Sequence, residues 1–201
     1  RPRPAGDGQW GAEVVIGGKY ATGGMASFAK VLSSDDVESI RAYIINRANE
    51  EQAAREAAKA GVSPDVLYFD SKTGVMATRL VDHAVTMTPE NFKSIAGSPA
   101  RAGEVFRKLH ASGAKFNFRF ELFAMIDDYL KILATKDIEL PAGYHEVVKE
   151  AETVRAALNA HPLPLVACHC DPLCENFLDT GKRMWLVDWE YSGMNDPMWD
   201  L

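Results

Sequence analysis

The segment from His169 to Asp188 carries polar residues whose types and spacing could transfer a phosphoryl group. His169, Asp171 and Asn176 form an H-x-D-x-x-x-x-N pattern, and an apolar stretch that ends in Asp188 follows a turn at residues 179–182. Transfer of a γ-phosphoryl group needs an acceptor for the hydroxyl proton and Mg²⁺ to hold the phosphates. Carboxylate and amide oxygens are ligands that suit Mg²⁺. We therefore predict Asp171 as the base, and Asn176 and Asp188 as the Mg²⁺ ligands.

Two other interpretations of this segment remain open. The polar residues could be ordinary loop residues of a hairpin, since an H-x-D-x-x-x-x-N match alone recurs by chance. The apolar strand that ends in Asp188 favours the catalytic interpretation, in which His169 holds the loop by hydrogen bonds. The neighbouring Cys168, Cys170 and Cys174 could bind a metal, but a second pair of ligands is missing from the sequence. We expect reduced thiols of a cytosolic protein.

Composition excludes several classes of protein. The chain has 201 residues, of which 47% are hydrophobic and 25% charged, and its net charge is −6. These values are typical of one globular core with a small appendage. The absence of a run rich in Lys and Arg argues against a nucleic-acid partner. Apolar runs such as residues 163–168 are too short to span a membrane, and residues 1–6 do not lead into a signal peptide. We expect a cytoplasmic protein without membrane segments, and an internal fragment because no Met begins the chain.

The elements that position the polar residues follow from hydrophobic periodicity. Helical spacing predicts helices over about residues 35–60, 99–112, 119–134 and 144–160, and a short helix that begins at Thr88-Pro89. Strand patterns cover residues 66–69, 75–81, 165–167, 177–178 and 184–187, with a hairpin turn at 70–74. This order predicts an α+β fold, mainly helical, with a small β-hairpin at the catalytic edge.

The same periodicity predicts which helical residues face inward. They are Val37, Ile40, Ile44 and Ala48 in the first helix, Ala102, Val105, Phe106 and Leu109 in the second long helix, Leu122, Phe123, Ile126, Leu130 and Leu133 in the third, and Val147, Val148, Ala151, Val154 and Leu158 in the fourth.

From about residue 49 to 201 the chain resembles the choline/ethanolamine kinase family, within the aminoglycoside-phosphotransferase-like kinases. The H-x-D-x-x-x-x-N pattern and the stretch 188–193, similar to the family's D-[FW]-E-Y-S/G segment, carry the resemblance. Residues 61–69 resemble the segment that enters the hinge strands. Residues 195–201 resemble the start of the next helix, where the family's Asp caps the catalytic loop. The resemblance implies a protein-kinase-like fold, mainly its helical C-lobe, and the use of ATP and Mg²⁺.

The resemblance also implies a small amino alcohol, choline or ethanolamine, as substrate. Aromatic faces and acids hold a quaternary ammonium, and Glu190 and Tyr191 are the candidates we favour. Trp189 and Trp199 are further candidates, with core packing as an equal alternative for both.

The resemblance further implies a nucleotide site. The predicted hinge residues are Arg79, Leu80, Val81 and Asp82, which would offer backbone groups to adenine. A plain strand end is the alternative for this segment. Glu50, or its neighbour Glu51, could be the family's helix Glu that pairs with a strand Lys, although no such Lys strand precedes it.

Residues 10–49 resemble a different family, the end of the c-type cytochrome domain fused to quinone-dependent alcohol dehydrogenases. In that family the Met of G-M-x-S-F, here Met25, is the axial haem ligand, but the chain lacks the C-x-x-C-H that attaches the haem. Residues 16–24 have the composition of a phosphate loop without its order. We predict a cytochrome-like remnant over residues 1–48 and a kinase-like domain over 49–201, truncated at both ends with an incomplete N-lobe.

The predicted function is ATP-dependent phosphorylation of a small amino alcohol. The fragment could be inactive, because a phosphate loop and its Lys supply much of the positioning and charge stabilisation in such enzymes. The alternatives are a cytochrome-type electron-transfer remnant, or a kinase for an aminoglycoside or a sugar. The sequence leaves the oligomeric state open.

Overall fold

The computed structural model describes residues 33–70, 73–136 and 138–201, which fall into two compact units. One unit comprises residues 1–48 and 69–75, and the other comprises residues 49–68 and 76–201. The predictions for Met25 and for residues 16–24 lie outside the described residues. The division into a cytochrome-like remnant and a kinase-like domain stays a prediction.

The helices lie where periodicity predicts them, to within about three residues at each end. They are α1 at Ser34–Lys59, α2 at Pro89–Ser94, α3 at Ser98–Ala111, α4 at Leu122–Ala134 and α5 at Tyr144–Ala160. α1 begins with reciprocal hydrogen bonds, because the Asp36 N–H donates to Ser33 Oγ and the Ser33 N–H donates to Asp36 Oδ2. α1 stops before Gly61, whose φ of 71° favours glycine. Within the described ranges we find no helix with the length and hydropathy needed to cross a bilayer.

The strands are short and antiparallel. They are β1 at Val66–Asp70, β2 at Val75–Thr78, β3 at Val85–Thr86, β4 at Val166–Cys168, β5 at Phe177–Asp179, β6 at Met184–Leu186 and β7 at Gly193–Asn195. β1 pairs with β2, β4 pairs with β7, and a three-stranded sheet has the order β3-β5-β6. The hairpins predicted over residues 66–81 and 177–187 are confirmed, with second strands that end at residues 78 and 186. β3 and β7 were not predicted, because each contains a single apolar residue.

The core of the larger unit lies beneath the β5–β6 hairpin. α1 contributes its small residues Ala53, Ala54 and Ala57, and α3 contributes Val105, Phe106 and Leu109. The hairpin contributes Phe177, Met184 and Leu186. Phe177 packs edge-on against Phe106, with 5.6 Å between ring centroids, and the Leu186 N–H donates to the Val62 carbonyl at 2.8 Å. The hairpin is therefore anchored on both its side chains and its backbone.

The predicted inward faces agree with the structure in α3 and not in α5. Val105, Phe106 and Leu109 are buried, and Ala102 packs against the core. In α5 the prediction is wrong for Val147, Val154 and Leu158, which are 64%, 54% and 44% exposed. Val148 and Ala151 of α5 and the five predicted residues of α4 are half-buried. In α1 the prediction is wrong for Ile40, Ile44 and Ala48, which are exposed, and the Val37 side chain lies outside the part of the structure that is described. Periodicity identifies residues that share a face, but it does not supply an element to cover that face.

Candidate active site

The loop that connects β4 to β5 contains the predicted base and is fixed by a buried carboxylate. Asp200, 2% exposed, accepts the backbone N–H of His169 at 3.0 Å on Oδ2 and the N–H of Cys170 at 2.8 Å on Oδ1. Cys170 has a φ of 65°, a left-handed conformation that costs free energy in a residue with a side chain. The two hydrogen bonds hold the chain in this turn immediately before Asp171. Asp200 is therefore the acid that caps the loop, and it lies on a 3-10 helix at Pro197–Asp200.

Asp171 and Asn176 meet at the two ends of the loop. The Asn176 side-chain NH₂ donates to the Asp171 carbonyl at 2.9 Å and lies 3.4 Å from Asp171 Oδ2. A 3-10 helix at Cys174–Asn176 closes the loop and leads directly into β5. Asp171 is half-buried and Asn176 is buried. Because the NH₂ group makes the contacts to Asp171, Oδ1 is the atom that Asn176 can offer to a metal ion.

Asp188 lies two residues after β6, the strand that pairs with β5, and the residue before it is bonded to the loop. The Val187 N–H donates to the Asn176 carbonyl at 3.1 Å, and His169 Nε2 lies 2.9 Å from the Val187 carbonyl. Asp188 itself is exposed and has a φ of 66°. The backbone bonds on both sides of residue 187 therefore link Asp188 to the loop that holds Asp171.

His169 occupies a buried position from which it cannot contact a substrate. Burial lowers the pKa of its imidazole, which favours the neutral ring. The contact with the Val187 carbonyl then requires the proton on Nε2. Nδ1 has no hydrogen-bond partner among the described residues. His169 thus acts as a structural donor that connects the two arms of the site.

The predicted substrate residues 189–191 differ in their burial. Trp189 is buried, donates from Nε1 to Ser63 Oγ at 3.1 Å, and packs its ring 4.8 Å from His169. Core packing is therefore the interpretation that the structure favours for Trp189. Glu190 is half-buried and Tyr191 is exposed, so both stay candidates for contact with a substrate.

Gly193 permits a close approach between two segments near the loop. A Cβ atom at this position would lie 2.7 Å from the Phe120 backbone nitrogen and 3.2 Å from the Phe118 carbonyl oxygen. The Met194 N–H donates to the same Phe118 carbonyl at 2.8 Å. The glycine that ends the 188–193 stretch is thus required by packing against residues 118–120.

A cavity of about 340 Å³ lies beside this contact and has both aromatic and charged walls. Trp199 and Phe120 form one aromatic corner, with 6.4 Å between ring centroids. Asn195 borders the cavity and donates from Nδ2 to Cys170 Sγ at 3.8 Å, which connects the cavity wall to the loop. The other charged and aromatic lining residues are Arg119, Glu121, Phe123, Asp127, Arg155 and Asp196.

The residues predicted to bind nucleotide lie on other elements. Arg79, Leu80 and Asp82 are exposed, Leu80 by 82%, and Val81 is half-buried. The Arg79 N–H donates to the Asp65 carbonyl at 2.8 Å, which continues the β1–β2 pairing by one residue. Glu50 is buried on α1. A role for these five residues in nucleotide binding stays a prediction.

Comparison with known proteins supports the resemblance. Residues 39–201 match the family model described as choline/ethanolamine kinase. The chain belongs to the choline/ethanolamine kinase family. The prediction of the family, made for residues 49–201, is confirmed.

The chain is similar to other proteins in sequence and in structure. Protein LicA of Haemophilus influenzae is 27% identical over 168 residues, which are 81% of this chain and 61% of LicA. A choline/ethanolamine kinase family protein from Mesorhizobium loti is 76% identical with a TM-score of 0.74, over 77% of this chain and 53% of that one. Choline kinase LicA from Streptococcus pneumoniae is 26% identical with a TM-score of 0.66 at the same coverage, and a LicA complex with AMP gives 0.64.

These structures confirm the predicted kinase-like fold and also define how much of it is present. The chain spans 53% of the solved chains and 61% of the Haemophilus LicA protein. The family match begins at residue 39, inside the 10–49 segment that resembles a cytochrome end.

Proposed function

We propose that this chain carries the catalytic loop and metal-binding hairpin of an ATP-dependent phosphotransferase that acts on a small amino alcohol. The observation that supports the proposal is the set of hydrogen bonds that joins the segments carrying Asp171, Asn176 and Asp188. Asn176 contacts Asp171 through its side chain, and its carbonyl accepts the N–H of the residue before Asp188. A base and two oxygen ligands on adjoining backbone segments are what phosphoryl transfer to a hydroxyl requires.

In this proposal Asp171 accepts the proton of the substrate hydroxyl. Its carbonyl is held by Asn176 and by the Leu173 N–H at 2.8 Å, so the position of the carboxylate is set by backbone contacts. The base is half-buried, which leaves one side open to an incoming alcohol. Orientation of this kind contributes more to phosphoryl transfer than a shift of the base pKa does.

The donor set of the second part of the site fits Mg²⁺. Asn176 Oδ1 and the exposed Asp188 carboxylate are hard oxygen ligands, and Mg²⁺ is held in such sites by one or two carboxylates with phosphates and water. When bound, the ion neutralises charge on the phosphate oxygens. His169 contributes by its bond to the Val187 carbonyl, which fixes Asp188 relative to the loop.

Choline or ethanolamine is the acceptor that we propose. Trp199 and Phe120 supply aromatic faces, and Asp196 supplies a carboxylate, in a cavity connected to the catalytic loop through Asn195. Aromatic faces with a nearby acid attract an alkylammonium group. The solved relative LicA is named a choline kinase, in agreement with this substrate class. Glu190 and Tyr191 stay proposed contacts, whereas Trp189 would act only by packing behind the loop.

The nucleotide would be ATP, with its adenine against the 79–82 segment. The Arg79 N–H already donates to the Asp65 carbonyl, and the Val81 carbonyl accepts the Ala84 N–H at 3.4 Å, so Leu80 is the backbone contact that we propose. The known LicA complex with AMP supports a nucleotide of the adenylate class. Glu50, buried on α1, is the proposed partner of a phosphate-binding cation.

The test is transfer of phosphate from Mg²⁺-ATP to choline, with ethanolamine, an aminoglycoside and a sugar as parallel acceptors. Asp171→Asn keeps the size of the side chain and removes the base, so we expect the rate to fall by about 10²–10⁴-fold. Asp128→Asn on α4 is the matched control, because this exposed carboxylate pairs with Lys131 on the same helix, and its rate should equal that of the wild type.

Several results would contradict the proposal. An unchanged rate in Asp171→Asn would remove Asp171 as the base. Transfer confined to an aminoglycoside or a sugar would contradict the proposed acceptor and leave the proposed role of the loop unchanged. A folded wild-type chain without transfer to any acceptor would show that this chain alone is not an enzyme.

A further inference from the structure

We infer that Gln52 of α1 is a positioning residue for the acceptor, because it fixes one wall of the cavity of about 340 Å³. Its side-chain amide bonds twice to residues 115–120, which we call the connecting segment. Nε2 donates to the Lys115 carbonyl at 2.7 Å, and Oε1 accepts the Asn117 N–H at 3.0 Å. Phe120, at the end of this segment, lines the cavity. The inference rests on the proposed function for its effect on the acceptor, whereas the link itself is geometric.

The connecting segment needs a partner from outside, because it begins without regular secondary structure. Residues 113–117 belong to no helix or strand, so no helical turn or strand ladder supplies their backbone bonds. A side-chain amide carries one acceptor oxygen and two N–H donors, so it matches a backbone carbonyl and a backbone N–H at the same time. The two bonds of Gln52 lie on either side of Phe116, which is 5% exposed. They therefore fix both the position and the direction of the chain at this buried ring.

From Phe116 onward the connecting segment leads directly to the cavity. The Phe116 N–H donates to Met194 Sδ at 3.4 Å, and the Phe118 carbonyl accepts the Met194 N–H at 2.8 Å. Two residues later, Phe120 forms the aromatic corner with Trp199, with 6.4 Å between ring centroids. A shift of the chain at residues 115–117 would therefore move the aromatic corner, because both lie on one short stretch of chain.

Gln52 can act as a fixed support, because α1 is anchored in the core at this point. The neighbours Ala53 and Ala54 are each 1% exposed, and Glu50, two residues earlier, is also buried. Loss of the Gln52 amide should therefore release the connecting segment and leave α1 in place. The acceptor should then bind more weakly, while the nucleotide, whose proposed contacts include Glu50, should bind as before.

A bond without functional consequence is the competing interpretation. Both backbone groups that Gln52 binds belong to exposed residues, so water could satisfy them if the amide were removed. Met194 would then hold the segment together with the Phe116 ring, which contacts Trp189 with 6.0 Å between centroids. We favour a positioning role because neither of these contacts is made by the backbone of residues 115 and 117, whereas the amide binds both.

The experiment compares two substitutions at residue 52. Gln52→Met keeps a similar length without a donor or an acceptor oxygen, and Gln52→Glu keeps an oxygen for the Asn117 N–H but loses the donor. Hydrogen–deuterium exchange of the Asn117 amide, resolved by NMR, is the primary measurement. We expect exchange to be about tenfold faster in Gln52→Met, as for the loss of one hydrogen bond, and to stay at the wild-type rate in Gln52→Glu.

Kinetics test the consequence for the acceptor. In Gln52→Met the KM for choline should rise about tenfold, while kcat and the KM for ATP stay unchanged, because the loss concerns acceptor binding. In a Phe120→Ala background the same substitution should no longer change the KM for choline, since the corner that it positions is absent. Lys59→Met on the same helix is the matched control. The Lys59 side chain is 72% exposed and pairs with Glu56, so this variant should alter neither exchange nor kinetics.

The outcomes separate the inference from the proposed function. Wild-type exchange of the Asn117 amide in Gln52→Met would overturn the inference, and so would equal acceleration in Gln52→Met and Gln52→Glu. An unchanged KM for choline would overturn it as well, as would an equal rise in the KM for ATP, because Gln52 would then act on α1. A chain that transfers phosphate to no acceptor but shows faster exchange in Gln52→Met would contradict the proposed function and leave the link intact. If Gln52→Met does not fold, Gln52→Ala should show the same faster exchange, and an unchanged rate there would also overturn the inference.

Discussion

The hairpin region, residues 166–200, which contains the proposed catalytic loop, and helices α4 and α5 differ in which side chains they bury. The hairpin region buries His169, Asn176, Asp179 and Asp200, each with hydrogen-bond partners. α4 and α5 bury no residue, and apolar side chains such as Val147 are exposed. Buried polar groups tolerate few arrangements, because each must keep its partner. The difference indicates that positional precision in this chain is concentrated around the catalytic loop.

The largest expected difference between the two regions concerns their ion pairs. Arg101 binds Asp179 in the hairpin region through two contacts of 2.9 and 2.5 Å, and Asp179 is 1% exposed. Arg155 of α5 binds Asp127 of α4 at 2.7 Å, but the Asp127 side chain is 42% exposed. Arg101→Met should lower the free energy of unfolding by about 3–5 kcal/mol, because it leaves a buried carboxylate unpaired. Arg155→Met should cause a much smaller loss, as for a solvated pair.

Urea unfolding monitored by circular dichroism measures both variants. Arg101→Met combined with Asp179→Asn is the control, since removing the orphaned charge should recover part of the stability. Equal losses in Arg101→Met and Arg155→Met would contradict the contrast between the two regions.

The second comparison uses the same apolar substitution in two helices. Leu109 of α3 is fully buried and Leu158 of α5 is 44% exposed, and each lies two residues before the end of its helix. Leu109→Ala should cost about 2–5 kcal/mol, because it removes buried methyl groups and leaves a cavity. Leu158→Ala should cost about 0.5 kcal/mol or less, as for other surface positions.

The free energies of unfolding from urea titration decide this comparison as well. A loss in Leu158→Ala as large as that in Leu109→Ala would mean that the apolar face of α5 is covered in solution. The two regions would then differ in their buried polar groups and not in the burial of their apolar side chains.

The catalytic loop was predictable because its chemistry is local in sequence. Asp171 and Asn176 are separated by one short loop, and Asp188 follows at the distance of one hairpin. Such fixed spacings need no knowledge of the tertiary fold. The helices and the longer strands were predictable for the same reason, since their periodicity repeats over many residues.

Contacts that join distant segments could not be predicted. His110 and Asp200 are 90 residues apart, and no motif surrounds His110. Trp189 pairs with Ser63 across 126 residues, which is why its core position was only one of two alternatives. The prediction that the apolar face of α5 is buried was wrong for a related reason. An amphipathic pattern does not specify which element packs against the helix. Tertiary packing therefore determines both which residues hold the candidate site and which apolar faces stay exposed.

The smallest predicted effect is the pH dependence of the Arg101–Asp179 pair. Burial alone would raise the pKa of Asp179, but the Arg101 guanidinium and the Gly181 N–H hold it below the ordinary value of 3.8. A carboxyl group with a lowered pKa in the folded state stabilises the protein above its ordinary pKa. That stabilisation is lost as the pH falls from the ordinary value through the lowered one.

In Arg101→Met the guanidinium is absent while burial remains, so Asp179 then favours the protonated form. The stability gap between wild type and Arg101→Met should therefore be widest near neutral pH and should narrow as the pH falls. It narrows first above pH 3.8, as folded Arg101→Met takes up a proton on Asp179, and then below pH 3.8, as the wild type loses its stabilisation. Asp179→Asn supplies the control, because with no carboxyl at residue 179 the gap between Asp179→Asn and its Arg101→Met double variant should not change over that range. Unfolding free energies measured from neutral pH down to about pH 3 provide the test. A gap between wild type and Arg101→Met that stays constant would show that Asp179 is not the group whose charge makes the hairpin region rigid.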